Sequence, residues 1–465
     1  MNKELLKSIP KIDNLIKSEK LEQFFNLYER NFVLKFINEV IDELRSLILA
    51  GKIDSFDEDW IIEKVHKKIT DIFAVFTGKV VNGTGIVLNT GLGRAPLSEN
   101  AIDKLNEILR GYSTLEVDVE SGKRGRREDK IDSLVALLTG AEAATVVNNN
   151  AAAVMICLNT LSEDKEVVIS RGEQVEIGGA FRMPDIIKKS GAIMIEVGTT
   201  NKTHLKDYEN AISENTGALV KVHTSNYRVM GFTKEIEIEE LAELGKKHNV
   251  ETYFDLGGGV IKDLSIHGLP YEPLVSDSLK AGIGLVSFSG DKSLGGPQCG
   301  VIAGKKELID RVKKNPLMRA FRMDKLRLSL LEETLKGFFR NDYAKLNKTY
   351  ELLTTPKDKL KEKAENLFNL LYQNIQDKIN FKIIELEDQA GSGTLPTETI
   401  KGFGVSFTQQ KISCNRFANL MRTIGEVPVF GYVSNETYII SIRTLFDGDN
   451  DIILNNCRKI VDEYL

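Results

Sequence analysis

The chain has 465 residues, of which 42% are hydrophobic and 28% charged, and its net charge is −5. That length allows about two or three domains with a sizeable core, and the charge excludes an overall basic field for nucleic acid, although not a local basic patch. The four cysteines (Cys157, Cys299, Cys414 and Cys457) are scattered without a C-x-x-C pair, which predicts reduced thiols and neither a disulfide framework nor a metal site. The N-terminus has no apolar signal segment and no stretch reaches transmembrane length, so a cytoplasmic protein without a membrane partner is expected.

Residues 1–70 carry apolar residues at helical spacing with nearly balanced charge, and they predict a helical N-terminal domain. The segment from Val80 to Leu97 is rich in Gly and Asn and reads as a loop with one short strand. From about 130 the pattern alternates. Helical IDSLVALLTGA leads to the strand ATVVNNN and the apolar helix AAAVMICLNTL; EVVIS, AIMIEV, ALVKVHT and TYFDL follow as strands, with helices around 183–190, 205–213 and 237–248. GLVSF and GVIAG complete the set. Strands alternating with helices predict an α/β domain, spanning about 71–340, with a mostly parallel sheet wrapped on both faces. After a long charged helix, FKIIEL, GFGVSF, VPVFGYV and TYIISIRTL predict a small C-terminal α+β domain over 341–465.

In such a sheet ligands gather at the carboxyl ends of the strands. The residues there are Asn148, Asn149 and Asn150, Arg171 to Glu173, Thr199 and Thr200, Thr224 with Ser225 and Asn226, Asp255, and Lys292, whose preceding strand is broken by Ser289. Lys292 stands in Ser-Phe-Ser-Gly-Asp-Lys-Ser-Leu-Gly-Gly-Pro between two apolar runs. A lysine dried by such a pocket loses its proton and becomes an amine nucleophile toward a carbonyl, and pyridoxal phosphate is the commonest carbonyl cofactor. Taken alone, the same residues also describe a surface Lys in a Gly-rich hairpin. Asp255, at the end of the preceding buried strand, supplies what that alternative lacks, a carboxylate to pair with a pyridinium nitrogen. Asn148 to Asn150 join a strand to a helix and suit the cofactor phosphate, although Asn before an Ala run also reads as an N-cap. Arg319 and Arg322 lie three apart after Pro316 and would share a helix face, as anion-binding arginines do. The run Lys123-Arg-Gly-Arg-Arg127 reads as a solvated turn or as a contact for a polyanion or a neighbouring subunit.

With these residues in hand, the chain resembles the bacterial selenocysteine synthases, the L-seryl-tRNA(Sec) selenium transferase family, from end to end. The resemblance rests on NTGLGRAPLS, GAEAATVVNNNAAAV, SRGEQVEIGGAFRMPDI, VHTSNYRVMGFT, SFSGDKSLGGPQCG, NPLMRAFRMDK and SGTLPTET. It implies a fold-type I pyridoxal phosphate enzyme, assembled as a homo-oligomeric ring of dimers, whose N-terminal domain grips seryl-tRNA(Sec). By motif match Lys292 is the Schiff-base lysine and Asp291 an acid/base or orienting group. Arg94, Arg319 and Arg322 would hold the phosphate of selenophosphate, with Thr199 and Thr200 near the same pocket. The implied reaction passes through a dehydroalanyl-tRNA; a pyridoxal lyase acting on a small amino acid or amino sugar phosphate, without RNA, is the alternative. The chain departs from the family at Asn89, where a His is usual, at Gly91, where an Asn is usual, and at Tyr432, where an Arg is usual.

Overall fold

The computed structural model describes residues 2–73, 77–178 and 181–465. Residues 179 and 180, inside the motif SRGEQVEIGGAFRMPDI, lie outside the described residues. The chain divides into two compact units, Met1–Lys79 and Val80–Leu465. The boundary expected at 70 falls inside the helix Glu58–Phe73.

The first unit is helical. Its two longest helices are Arg30–Leu49 and Glu58–Phe73. Val33, Phe36, Ile37, Val40, Ile41, Leu44 and Ile48 recur every three or four residues, so they form one buried stripe. Ile61, Ile62, Val65 and Ile69 complete a core with Leu21 and Phe24.

The second unit is built on a seven-stranded sheet of β1 (Ala143–Val147), β2 (Glu166–Ser170), β3 (Ile193–Val197), β4 (Thr216–Val222), β5 (Glu251–Gly257), β6 (Leu285–Ser289) and β7 (Gly300–Gly304). Their spatial order is β1-β7-β6-β5-β4-β2-β3. Strands β3, β2, β4, β5 and β6 run parallel, as expected for strands separated by helices. β7 is antiparallel to both β1 and β6, because residues 290–299 are too few for a crossover helix. Both faces are covered. Val146, Val168, Leu219, Phe254, Val286 and Val301 bury one way, and Val147, Val167, Val220, Tyr253, Leu285 and Ile302 the other. Such near-continuous apolar strands are what a sheet buried on both faces requires.

The C-terminal part places the helix Lys357–Ile375 against a four-stranded antiparallel sheet of β8 (Asn380–Gly391), β9 (Thr394–Thr408), β10 (Tyr432–Ser434) and β11 (Thr437–Ser441), in the order β8-β9-β11-β10. VPVFGYV, read as one strand, splits at Gly431. Val429–Phe430 pairs with Val81–Asn82, and Tyr432–Ser434 pairs with β11. A side chain at Gly431 would meet the carbonyl of Ile439 and the ring of Tyr438. The Gly-rich segment after Val80 is thus pinned to the C-terminal sheet, where the sequence grouped it with the large domain.

At this junction Arg443 is fully buried. It donates from Nε to Asp388 Oδ2 at 2.9 Å and from its guanidinium to the carbonyls of Leu352 (2.8 Å) and Lys401 (2.7 Å). Breaking a buried pair of this kind by removing one partner costs about 3–5 kcal/mol, so the base of the β8–β9 hairpin is held firmly.

Candidate active site

Lys292 sits in the connection between β6 and β7. That loop is closed by hydrogen bonds from Gly290 N–H to Cys299 C=O (2.9 Å), Gly295 N–H to Lys292 C=O (2.8 Å) and Gly296 N–H to Gly290 C=O (2.9 Å). Asn347 fixes it from outside by donating its amide to Leu294 C=O at 2.8 Å. Lys292 is only 6% exposed. Burial pushes its amine below the usual lysine range; Asp255 opposes the shift and Arg94 adds to it. This is a dry lysine, as the sequence predicted, and not a surface one.

Asp255 points from β5 and is 4% exposed. Its Oδ1 accepts from Asn150 Nδ2 at 2.8 Å and from Gly257 N–H at 3.2 Å. Burial raises its carboxyl above the ordinary value, while the Asn150 hydrogen bond and the Lys292 charge pull it back. Asn149 settles its two readings by capping the helix Asn150–Ser162, accepting from Ala152 N–H at 2.8 Å. Asn148 is tied through its backbone to Phe321 C=O (2.9 Å) and to the Arg327 guanidinium (2.9 Å).

Asp291, next to the lysine, is also buried and accepts from Arg94 Nη1 at 2.8 Å through Oδ2. Arg94 has φ 64°, in the left-handed region that costs a non-glycine residue about 1–2 kcal/mol. The turn is built by Asn89, whose side chain accepts from Gly91 N–H at 3.0 Å and whose carbonyl accepts from Arg94 N–H at 2.9 Å. The departure at Asn89 therefore has a structural use here.

Four buried side-chain atoms in this region have no partner among the described residues: Asn148 Oδ1, Asn150 Oδ1, Ser225 Oγ and Asp291 Oδ1. An unsatisfied buried polar atom costs about 1–3 kcal/mol, so a cluster of four around a dry lysine fits a polar ligand. The open N-terminus of the helix Asn150–Ser162 adds free N–H groups that suit an anion.

The matches with known proteins run through these same residues. Residues 80–446 match the family model described as L-seryl-tRNA selenium transferase. The chain belongs to the L-seryl-tRNA selenium transferase family. It is 44% identical over 460 residues to the L-seryl-tRNA(Sec) selenium transferase of Clostridium botulinum (strain Loch Maree / Type A3), covering 99% of each chain. It is 41% identical to that of Carboxydothermus hydrogenoformans, over 99% of this chain and 98% of the relative. Among solved structures, D-glucosaminate-6-phosphate ammonia-lyase superposes with a TM-score of 0.60 at 18% identity, over 85% of this chain and 98% of that one. That likeness bears on the fold, which is the expected fold-type I α/β arrangement.

Not every predicted residue of this family member joins the cluster. Thr199 and Thr200 are exposed after β3, and Thr199 Oγ1 is spent on Lys202 C=O at 3.0 Å. Asn226 is exposed and donates to Glu176 C=O at 2.9 Å. Ser289 is buried in β6 opposite Gly300. Arg319 and Arg322 are exposed, and no hydrogen bond or ion pair joins them to Lys292, Asp255 or Asp291 among the described residues. The helix expected to carry both arginines is only Leu317–Ala320, so Arg322 lies beyond it. The turn stops there as Phe321 gives its carbonyl to Asn148. The basic run resolves into a local network, with Glu116 accepting from Arg124 (2.7 Å) and Arg127. These guanidiniums hold the Glu116 carboxyl down to about 2.

Sequence reasoning missed a wall of the site that comes from the C-terminal sheet. The turn Gly391–Leu395 between β8 and β9 reaches the lysine. A methyl group on Gly393 (φ 74°) would stand 2.8 Å from Ser225 Oγ and 3.3 Å from Lys292 Nζ. Ser293 and Thr394 share a hydroxyl hydrogen bond of 2.6 Å across the junction. The motif SGTLPTET contains this turn, and its two glycines were the signal that a close approach was needed. Among the described residues there is no cluster of three His, Cys, Asp or Glu side chains able to hold a metal, and no helix is long and apolar enough to cross a membrane.

Proposed function

We propose that the protein converts L-seryl-tRNA(Sec) to L-selenocysteinyl-tRNA(Sec) with selenophosphate as selenium donor and pyridoxal phosphate as cofactor. The observation that carries this reading is the full-length match to selenium transferases in a chain whose matched lysine is dry and faces a buried carboxylate. Bound pyridoxal phosphate would supply an electron sink for the bonds at the seryl Cα.

The chain's own residues do the rest. Lys292, held with its amine easily deprotonated, attaches the cofactor and is then available to move the Cα proton. Asp255 keeps a proton on the ring nitrogen, its other lone pairs already ordered by Asn150 and Gly257. Asn148, Asn149, Asn150, Ser225, Asn226 and Ser289 are the proposed cofactor-holding set, with Asn149 acting through the cap that orders the helix N-terminus. Asp291 has one oxygen tied to Arg94 and one free, and the free oxygen suits proton traffic at the seryl hydroxyl as water is lost. Arg94, Arg319 and Arg322, with Thr199 and Thr200, form the proposed donor site. Arg319 and Arg322 have no anionic partner among the described residues, so they are open to selenophosphate. The unit Met1–Lys79 is the proposed tRNA grip, and the working form is a homo-oligomer, a ring of dimers, in the cytoplasm.

The test incubates purified protein with pyridoxal phosphate, seryl-tRNA(Sec) and selenophosphate and follows selenium into aminoacyl-tRNA. Selenocysteinyl-tRNA(Sec) is the expected product. Turnover of free small amino acids with no change to the seryl-tRNA would refute the reading.

A further inference from the structure

Two walls of the Lys292 pocket, His223 and the turn Gly391–Leu395, have no part in the chemistry proposed above. His223 follows β4, and its backbone N–H donates to Asp255 C=O at 2.8 Å, which seats it beside the carboxylate. Its ring Nε2 is buried without a hydrogen-bond partner among the described residues and lies 3.7 Å from Glu272 Oε2. Glu272, only 9% exposed, uses its other oxygen to accept from Leu395 N–H at 2.7 Å. A single buried carboxylate therefore touches the last residue of the turn on one side and faces the histidine on the other.

The turn needs such a tie. Ser392 (φ 41°) and Leu395 (φ 48°) both adopt left-handed backbone, which L-residues keep only where surrounding contacts over-determine it. The remaining latches are the Ser293–Thr394 hydroxyl pair and the bond from Ser392 Oγ to Leu88 C=O at 2.6 Å. The Glu272–Leu395 bond is the one latch that carries a full charge, and charge-assisted hydrogen bonds are about twice as strong as neutral ones.

We propose that Glu272 is a positioning residue for the lysine pocket, clamping the Gly391–Leu395 turn over Lys292 and setting the ring of His223 with the same carboxylate. The inference rests on Lys292 carrying pyridoxal phosphate. Glu272 touches neither substrate nor cofactor; it decides whether the two walls stay closed on whatever Lys292 holds. The closed turn is also what keeps water from the lysine, since Gly393 is the residue that leaves room for its amine.

The experiment loads the full-length protein with pyridoxal phosphate and follows the visible absorbance of the bound cofactor as it dissociates into excess scavenger. Glu272→Ala should release it about tenfold faster, the size expected for one lost charge-assisted bond. Glu272→Gln keeps an oxygen for Leu395 N–H and an amide for Nε2, and should hold release within about threefold of the parent. Thr394→Val loosens the same turn from its other side and should speed release while leaving Glu272 in place. Melting temperatures of the loaded variants separate loss of the clamp from loss of the fold. Release from Glu272→Ala at the parent rate overturns the proposal, and so does a Glu272→Gln variant as fast as Glu272→Ala. A parent protein with no bound absorbance would instead remove the Lys292 assignment, an outcome distinct from either.

Discussion

Replacing Asp255 with Asn tests the electrostatic centre of the site with almost no change of shape. Oδ1 already accepts from Asn150 and Gly257, and the amide oxygen of Asn can keep both bonds. What is lost is the negative charge and the acceptor that faces a protonated ring nitrogen. A hydrogen bond to a charged group contributes about 1.5–3 kcal/mol, and each 1.4 kcal/mol is about tenfold, so turnover should fall roughly 10- to 150-fold. Asp255→Ala should be worse. It also strands the Asn150 amide and the Gly257 N–H in a buried site, at about 1–3 kcal/mol each, and should lower the melting temperature where Asp255→Asn does not. The assay is single-turnover conversion of seryl-tRNA(Sec) at saturating selenophosphate, with melting followed in parallel. An Asp255→Asn enzyme turning over within about threefold of the parent would show that this carboxylate is not the partner of the cofactor ring, since that loss is under 1 kcal/mol.

Further outcomes are expected elsewhere. Lys292→Ala should lose both the visible absorbance of the cofactor and all turnover; borohydride trapping of the cofactor on a different lysine of the parent protein would contradict this. Arg319→Ala or Arg322→Ala should weaken use of selenophosphate by about one to two orders of magnitude while elimination from seryl-tRNA proceeds, and equal losses in both half-reactions would rule out a donor site there. Asp132 is buried, and burial outweighs the Lys313 ammonium at 2.7 Å, so its carboxyl is raised to about 7 from 3.8. The folded state then holds a proton that the unfolded chain has lost, so this group's contribution to stability falls as pH rises from about 4 to 7 and is flat above. Denaturation of the parent and Asp132→Asn at pH 5 and pH 8 should show the parent losing ground at the higher pH; a difference independent of pH would refute the assignment.

The parts of the site that sequence revealed are those carried by a local pattern. A strand ending in Asp255 and a Gly-rich break holding Lys292 are readable because periodicity marks the strands and topology sends their ends to one rim. The antiparallel turn of β7 was equally implicit in the few residues between GLVSF and GVIAG, yet alternation with helices masked it. Other features depend on contacts distant in sequence. The turn at Gly393 meets Lys292 only because Arg443, Asp388 and Ser441 fix the β8–β9 hairpin, and no spacing announces that. Pro316 suggested a helix start, and the helix does begin there. Its end at Ala320 was set by Asn148, far upstream, which takes the Phe321 carbonyl.

The edge position of β1 bears on how the protein is made. Its only neighbour in the sheet is β7, and at about 5–20 residues per second roughly 8–30 s of synthesis separate Val147 from Gly300. During that interval an apolar strand waits with open backbone groups, which is a hazard for pairing with other chains. The helical unit at the start of the chain has its own core and needs nothing that comes later. The lysine pocket, by contrast, draws on Arg94, Asn150, Asp255 and Lys292 and is closed by a turn whose anchor, Arg443, lies near the C-terminus. Cofactor loading is therefore a step for the finished chain, and a nascent one has to be shielded until then.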